Sequence, residues 1–198
     1  MKKKIINMVV VSILFVMVLM TGCGNTDSDQ KQTESDGKTF DGKTLIVYYS
    51  YSGTTQRVAE HLQKITGGDL YELTLTEPYT GTSNDVSDRV FQERDDKKMP
   101  EFSGTLPDIE NYDRILIGTP VWNNSMSNPI AGYLQQTDFQ GKQVALFWTY
   151  ITNQGSTKKN FSRQVQNGIV EKGLPLRSAS GIDDDKLDHT LQNWVSNL

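Results

Sequence analysis

The chain has 198 residues, 24 acidic against 20 basic side chains, a formal charge of −4, one cysteine and two histidines. The single Cys23 excludes internal disulfides, CxxC redox pairs and thiolate metal clusters, and His61 and His189, far apart and outside any HExxH pattern, argue against a zinc hydrolase. The acidic balance argues against a nucleic-acid partner, which needs Lys and Arg to neutralise phosphates.

In chain order, Lys2, Lys3 and Lys4 lead into the apolar run Ile5–Met20, broken only by Asn7 and Ser12. A basic head followed by an apolar stretch somewhat short of a ~20-residue membrane span reads as a secretory signal. Thr21-Gly22-Cys23 comes next, and small residues directly before a lone cysteine resemble a lipobox, with Met20 in the place usually held by Leu. The expected organisation is a lipoprotein signal peptide over 1–22, a tether over 23–39 with lipid on Cys23, and a folded domain over 40–198. Cleavage before Cys23 removes three lysines and no acid, which moves the formal charge from −4 to −7. Gly24–Lys38 contains no apolar residue, so it cannot repay its ordering entropy and is expected to be a spacer of roughly 20–25 Å reach. The expected location is therefore the outer side of a cell membrane, held by lipid.

Within the domain, Leu45–Tyr49 is an unbroken β-branched run of the kind buried on both faces of a parallel sheet. Val58, Leu62 and Ile65 recur at helical spacing, and Gly67-Gly68 supplies the stop. Leu70–Leu75 alternates as a second strand. Residues 76–107 allow a helix around Val86, Val90 and Phe91, with loop elsewhere. Arg114–Ile117 forms the core of a third strand, and Asn128 is expected to cap a helix opening on Pro129. Val144–Trp148 is a fourth strand; Phe161 and Val165 lie on a helix expected to end at Gly173; Leu174–Ser178 is a weaker fifth strand. Leu187, Leu191, Trp194, Val195 and Leu198 make the apolar stripe of a last helix, with Asp183–Asp185 near its positive end. Strand–helix alternation of this kind implies an α/β fold, a doubly wound sheet of five parallel strands with helices on both faces. Ligands of such sheets sit beyond the C-terminal strand ends, where strand order reverses.

Two loops compete for a phosphate. Gly37–Thr44 matches GxxxxGK[ST] letter for letter, yet a polar tether precedes it and a strand follows. That pattern needs a helix after the loop so that helical N–H groups point at phosphate, so the match is coincidental. The turn Ser50-Tyr51-Ser52-Gly53-Thr54-Thr55 has the required context, between a buried strand and an amphipathic helix. Its hydroxyls and helix N-terminus make a neutral anion cradle, since no cation appears before Arg57. A Ser/Thr-rich turn without a ligand is the competing reading.

Ser-x-Ser-Gly-x-Thr after an apolar first strand resembles the phosphate loop of the flavodoxins, and Ile46–Glu60 looks like the opening of the short bacterial members of that family. Ile117–Trp122 resembles the family's second flavin loop, and Asp138–Lys142 followed by Phe147-Trp148-Thr149 resembles the approach to the third. The resemblance covers about Thr44–Leu198 and implies the strand order 2-1-3-4-5 and bound FMN. It implies phosphate contacts from Ser50, Ser52, Thr54 and Thr55, with Gly53 admitting a close backbone. It also implies Thr119, Pro120, Val121, Trp122 and Asn123 along one side of the ring, with Trp122 stacked on it. Thr149, Tyr150, Thr152 and Gly155 would face the pyrimidine edge. Asn123-Asn124 departs from the family's Trp-Gly-x-x-Pro-Pro, though Asn tolerates positive φ.

The resemblance implies an electron carrier in which the flavin moves the electrons and no acid–base residue or metal is needed. The acidic charge would disfavour a negatively charged reduced flavin and lower its potential, and would select redox partners with basic surfaces. A flavin-dependent NAD(P)H:quinone-type reductase and a flavin-free binding lipoprotein are the alternatives. A response regulator wants acids where Ser50-Tyr51-Ser52 stands, and a low-molecular-weight tyrosine phosphatase wants a cysteine in that loop.

Overall fold

In a computed structural model, residues 40–198 are described. The expected signal peptide, the tether and the lipid site at Cys23 lie outside the described residues. Among those described, no helix is long and apolar enough to cross a membrane.

The central strands are β1 (Thr44–Tyr48), β3 (Arg114–Trp122) and β5 (Gln143–Tyr150). β2 (Asp69–Glu72) pairs parallel on the outer side of β1, and β5 lies on the far side of β3, which completes the order β2-β1-β3-β5. The strand expected over Leu174–Ser178 is β7 (Leu174–Arg177), and a further short strand, β6 (Ile169–Val170), precedes it; both run parallel to β5. β4 (Ser125–Met126) returns antiparallel on the end of β3.

Period-two alternation sorts the strand residues onto two faces. Leu45, Val47, Ile115, Ile117, Val144, Leu146 and Trp148 enter one core with α2 (Ser83–Asp95), α3 (Asn128–Gln136) and α4 (Thr157–Gln164). Ile46, Tyr48, Leu116, Ala145 and Phe147 enter the other, under α1 (Thr54–Thr66) and α5 (Asp184–Val195). Each fully buried aliphatic chain here contributes about 1.5–3 kcal/mol.

α1 ends as expected, on Gly67 in the left-handed region, whose N–H donates to the Gln63 carbonyl. The helix allowed over 76–107 exists as α2, opened by a capping box between Thr82 and Asp85. It buries Val86 and Val90 and leaves Phe91 half exposed. Four expectations are corrected. The second strand stops at Glu72, after which Leu75 makes a single bridge to Phe102. α3 opens one residue early, at Asn128, so Ser127 is the N-cap and Pro129 the second helical residue. α4 stops at Gln164, because Val165 is extended and its chain turns into β6 rather than running on to Gly173. β3 continues through Trp122, so residues expected as a loop are strand, with Thr119 and Pro120 paired to Trp148 and Thr149. The GxxxxGK[ST] match leads into β1 at Thr44, with no helix to receive a phosphate.

Candidate flavin cleft at the C-terminal strand ends

Ser50–Thr55 leaves β1 and becomes α1. Gly53 is the N-cap with φ 81, a left-handed value that a side chain would strain, and its missing Cβ faces open space. No side chain caps α1, so the first-turn N–H groups remain free to point at an anion. Ser52 and Thr54 pair their hydroxyls at 3.3 Å and both reach solvent. Ser50 Oγ is buried and has no hydrogen-bond partner. A buried hydroxyl without a partner costs ~1–3 kcal/mol, and a phosphate oxygen is one group that relieves it. The loop is electrically neutral, because the Arg57 guanidinium turns away to the carbonyls of Ala179 and Ile182 and to the Asp184 carboxylate.

Thr55, the second residue of α1, is more enclosed. It is 1% exposed and its Oγ1 lies 2.8 Å from Thr149 Oγ1, which ties the first turn of α1 to the end of β5. Thr119 is fully buried as well; its Oγ1 accepts from the Ser127 N–H at 3.0 Å and so braces the start of α3. The hydroxyls of these three threonines all have partners within the scaffold. Pro120, Val121, Trp122 and Asn123 are half-buried along the top of β3, Tyr150 is half-buried, and Thr152 and Gly155 are exposed beyond β5. Gly155 has φ 54, and a Cβ there would stand 2.1 Å from the Asn124 carbonyl oxygen, so this glycine lets the third loop close against the second.

Trp122 is the centre of an aromatic cluster. Its indole meets Tyr79, Tyr49 and Tyr51 edge-on, with centroids 4.9, 5.5 and 5.8 Å apart. Burial pushes the Tyr49 phenol up to about 12. Burial, followed by the hydrogen bond to the Glu93 carboxylate, also raises Tyr79, whose ring lies 4.1 Å under the Arg89 guanidinium carbon. Both phenols therefore stay neutral at ordinary pH, and the cluster offers apolar surface rather than acid–base chemistry. A cavity of about 290 Å³ lies beside the indole, walled by Tyr51, Val121, Trp122 and Asn123 and by Val86 and Val90 of α2. Tyr51 and Tyr79 were missed by sequence reasoning. Tyr51 carried a signal, an aromatic inside an otherwise polar turn; α2 carried little, because only two of its residues are buried. No group of three or more candidate metal ligands occurs among the described residues.

A neutral hydroxyl-rich turn at a helix N-terminus, beside an aromatic-walled cleft at the reversal of strand order, defines a doubly wound domain of the flavodoxin type. The flavodoxin family model matches residues 43–198, and the chain belongs to that family. It is similar to a flavoprotein from Lactobacillus acidophilus NCFM solved in complex with FMN, at 31% identity and TM-score 0.62 over 70% of this chain and 95% of that one. A candidate flavoprotein from Bacteroides eggerthii DSM 20697 aligns at 28% identity and TM-score 0.63, covering 78% of this chain and 96% of that one. Oxidised Flavodoxin 2 from Bacillus cereus, at 18% identity and TM-score 0.51 over 78% and 96% of the two chains, shares the fold.

Proposed function

We propose that this chain binds FMN in the cleft and acts as an electron carrier held by lipid on Cys23 at the outer face of the cytoplasmic membrane. The observation that carries the reading is the pairing of a partnerless buried Ser50 Oγ and an uncapped α1 N-terminus with an apolar cleft at Trp122. The FMN complex of the Lactobacillus relative supports the choice of ligand. Ser50, Ser52 and Thr54, with the free N–H groups of α1, would hold the phosphate by hydrogen bonds and the helix dipole. Trp122 and Tyr51 would cover the ring and keep water from it. FMN, when bound, supplies the acceptance and release of electrons. The chain's own contribution is to bind, orient and shield, and to surround the flavin with net negative charge.

The test is calorimetry of the purified chain with FMN, alongside a redox titration of any complex. Binding with a midpoint below that of free FMN is the expected result; no heat at saturating FMN overturns the reading and leaves a flavin-free binding lipoprotein. NAD(P)H oxidation by the complex in the presence of a quinone would replace the carrier with a reductase. Lipid attachment is checked separately, by palmitate labelling that Cys23→Ser should abolish. Partners with basic surfaces would bind transiently and lose affinity as salt rises.

A further inference from the structure

Trp122 stands on a hairpin too short to hold itself. β3 and β4 pair at two positions only, Val121 with Met126 and Trp122 with Ser125, whereas even a longer isolated hairpin is marginal in water. Asn123 and Asn124 between them have φ 45 and 60, the pair of positive angles that a type I′ turn requires. Such a turn gives the hairpin its direction of twist but little stability.

The support comes from α2. Arg94, in its last turn, donates from Nη2 to the carbonyls of Trp122 and Met126, each at 3.2 Å, and from Nη1 to the Asn123 carbonyl at 3.4 Å. Its Nε donates to Asn128 Oδ1 at 2.9 Å, and Asn128 Nδ2 donates back to the Val90 carbonyl and the Glu93 carboxylate at 3.0 and 2.7 Å. One planar guanidinium thus grips three hairpin carbonyls and the first residue of α3. These partners are all neutral oxygens, and burial lowers the Arg94 pKa more than the nearby Tyr79 and Glu93 raise it. An apolar residue would fill the same space without desolvating a cation. The fork, which can satisfy several carbonyls at once, selects one hairpin geometry. Farther up α2, Ser87 and the Asn123 amide exchange hydrogen bonds at 3.2 and 3.3 Å.

We infer that Arg94 is a positioning residue: it fixes the β3–β4 hairpin, sets the Trp122 indole, and locks both to the helix that forms the opposite wall of the cleft. The width of the slot between Trp122 and Val86/Val90 is then set by Arg94, which does not line the slot and reaches its walls only through backbone carbonyls. The inference rests on the FMN reading only for what the indole meets.

The test labels the full chain with 5-fluorotryptophan and records fluorine NMR without flavin. The chain has three tryptophans, and Trp122→Phe identifies the resonance of that position. In Arg94→Met the Trp122 resonance should shift or broaden while those of Trp148 and Trp194 stay in place. Arg94→Lys, which keeps charge but loses the fork, should move it in the same direction. FMN affinity should fall about three- to tenfold in Arg94→Met, the range expected when an aromatic contact is misplaced. An unmoved Trp122 resonance in folded Arg94→Met overturns the inference; if that variant does not fold, Arg94→Lys decides by the same criterion. Should the native chain bind no FMN, the proposed function fails, while the resonance still decides the role of Arg94.

Discussion

The two ends of the cleft are built by opposite means. The phosphate end is local: six consecutive residues, Ser50–Thr55, carry the hydroxyls, the left-handed glycine and the helix start. The ring end is assembled from a distance, since Trp122 on β3 is enclosed by Tyr49 just after β1, Tyr51 from the turn and Tyr79 from the segment before α2. A local site can lose ligand contacts without losing structure, whereas a dispersed site cannot. Substitutions should therefore separate affinity from stability at one end and couple them at the other.

The largest effect is expected from Ser52→Ala/Thr54→Ala. Hydrogen bonds to a charged group contribute ~1.5–3 kcal/mol each, so calorimetry should show FMN affinity lower by about 100-fold or more. Both hydroxyls reach solvent, and the melting temperature should hardly move. An unchanged affinity would break the assignment of the phosphate end. Trp122→Ala should do both kinds of damage. Affinity should drop about three- to tenfold. The packing lost against three tyrosines, ~1–3 kcal/mol for a half-buried aromatic, should lower the melting point by ~2–4 °C per kcal/mol. If stability holds while affinity falls, the aromatic cluster is not the unit described.

Gly53→Ala sharpens the comparison from the local side. No atom crowds a Cβ there, but φ 81 remains unfavourable for alanine, at a cost of ~1–2 kcal/mol, which thermal unfolding should register. The smallest effect concerns Asp184, held below the usual carboxylate range chiefly by its hydrogen bond from Arg57. A depressed carboxylate stabilises the fold above its unfolded pKa of ~3.9 and ceases to do so as pH falls through the lower folded value. The melting-point gap between the native chain and Asp184→Asn should be slight at pH 7 and close on acidification below ~3.9. A gap that widens in acid would reverse the sign assigned here.

The α1/α5 face was legible because its helices are amphipathic at regular spacing: Val58 and Leu62, then Leu187, Leu191 and Trp194, are buried as their periodicity required. The α2 face was legible only at Val86 and Val90. That helix hides only those two, and what positions it is polar: Arg89 and Arg94 reach carbonyls 11 to 32 positions away. Such contacts have no period for a sequence pattern to reveal. The same reason hid the β3–β4 hairpin, whose two rungs follow a strand already complete in itself. Thr55 and Thr119 share the composition of ligand residues and are buried and partnered, by Thr149 and Ser127, since a hydroxyl can bond a phosphate or a neighbouring polar group.

The amino-acid order alone determined the alternation of strands and helices, the two-faced burial of β1, β3 and β5, and a neutral turn poised at the start of α1. Those features arise from near neighbours, through side-chain period, glycine's freedom at φ and the dipole of one helix. Only the tertiary structure decided which hydroxyls face the cleft, which aromatics enclose Trp122, and that a guanidinium on α2 holds the indole in place. These depend on groups dozens of residues apart arriving within hydrogen-bond distance, and packing of the whole sheet settles that.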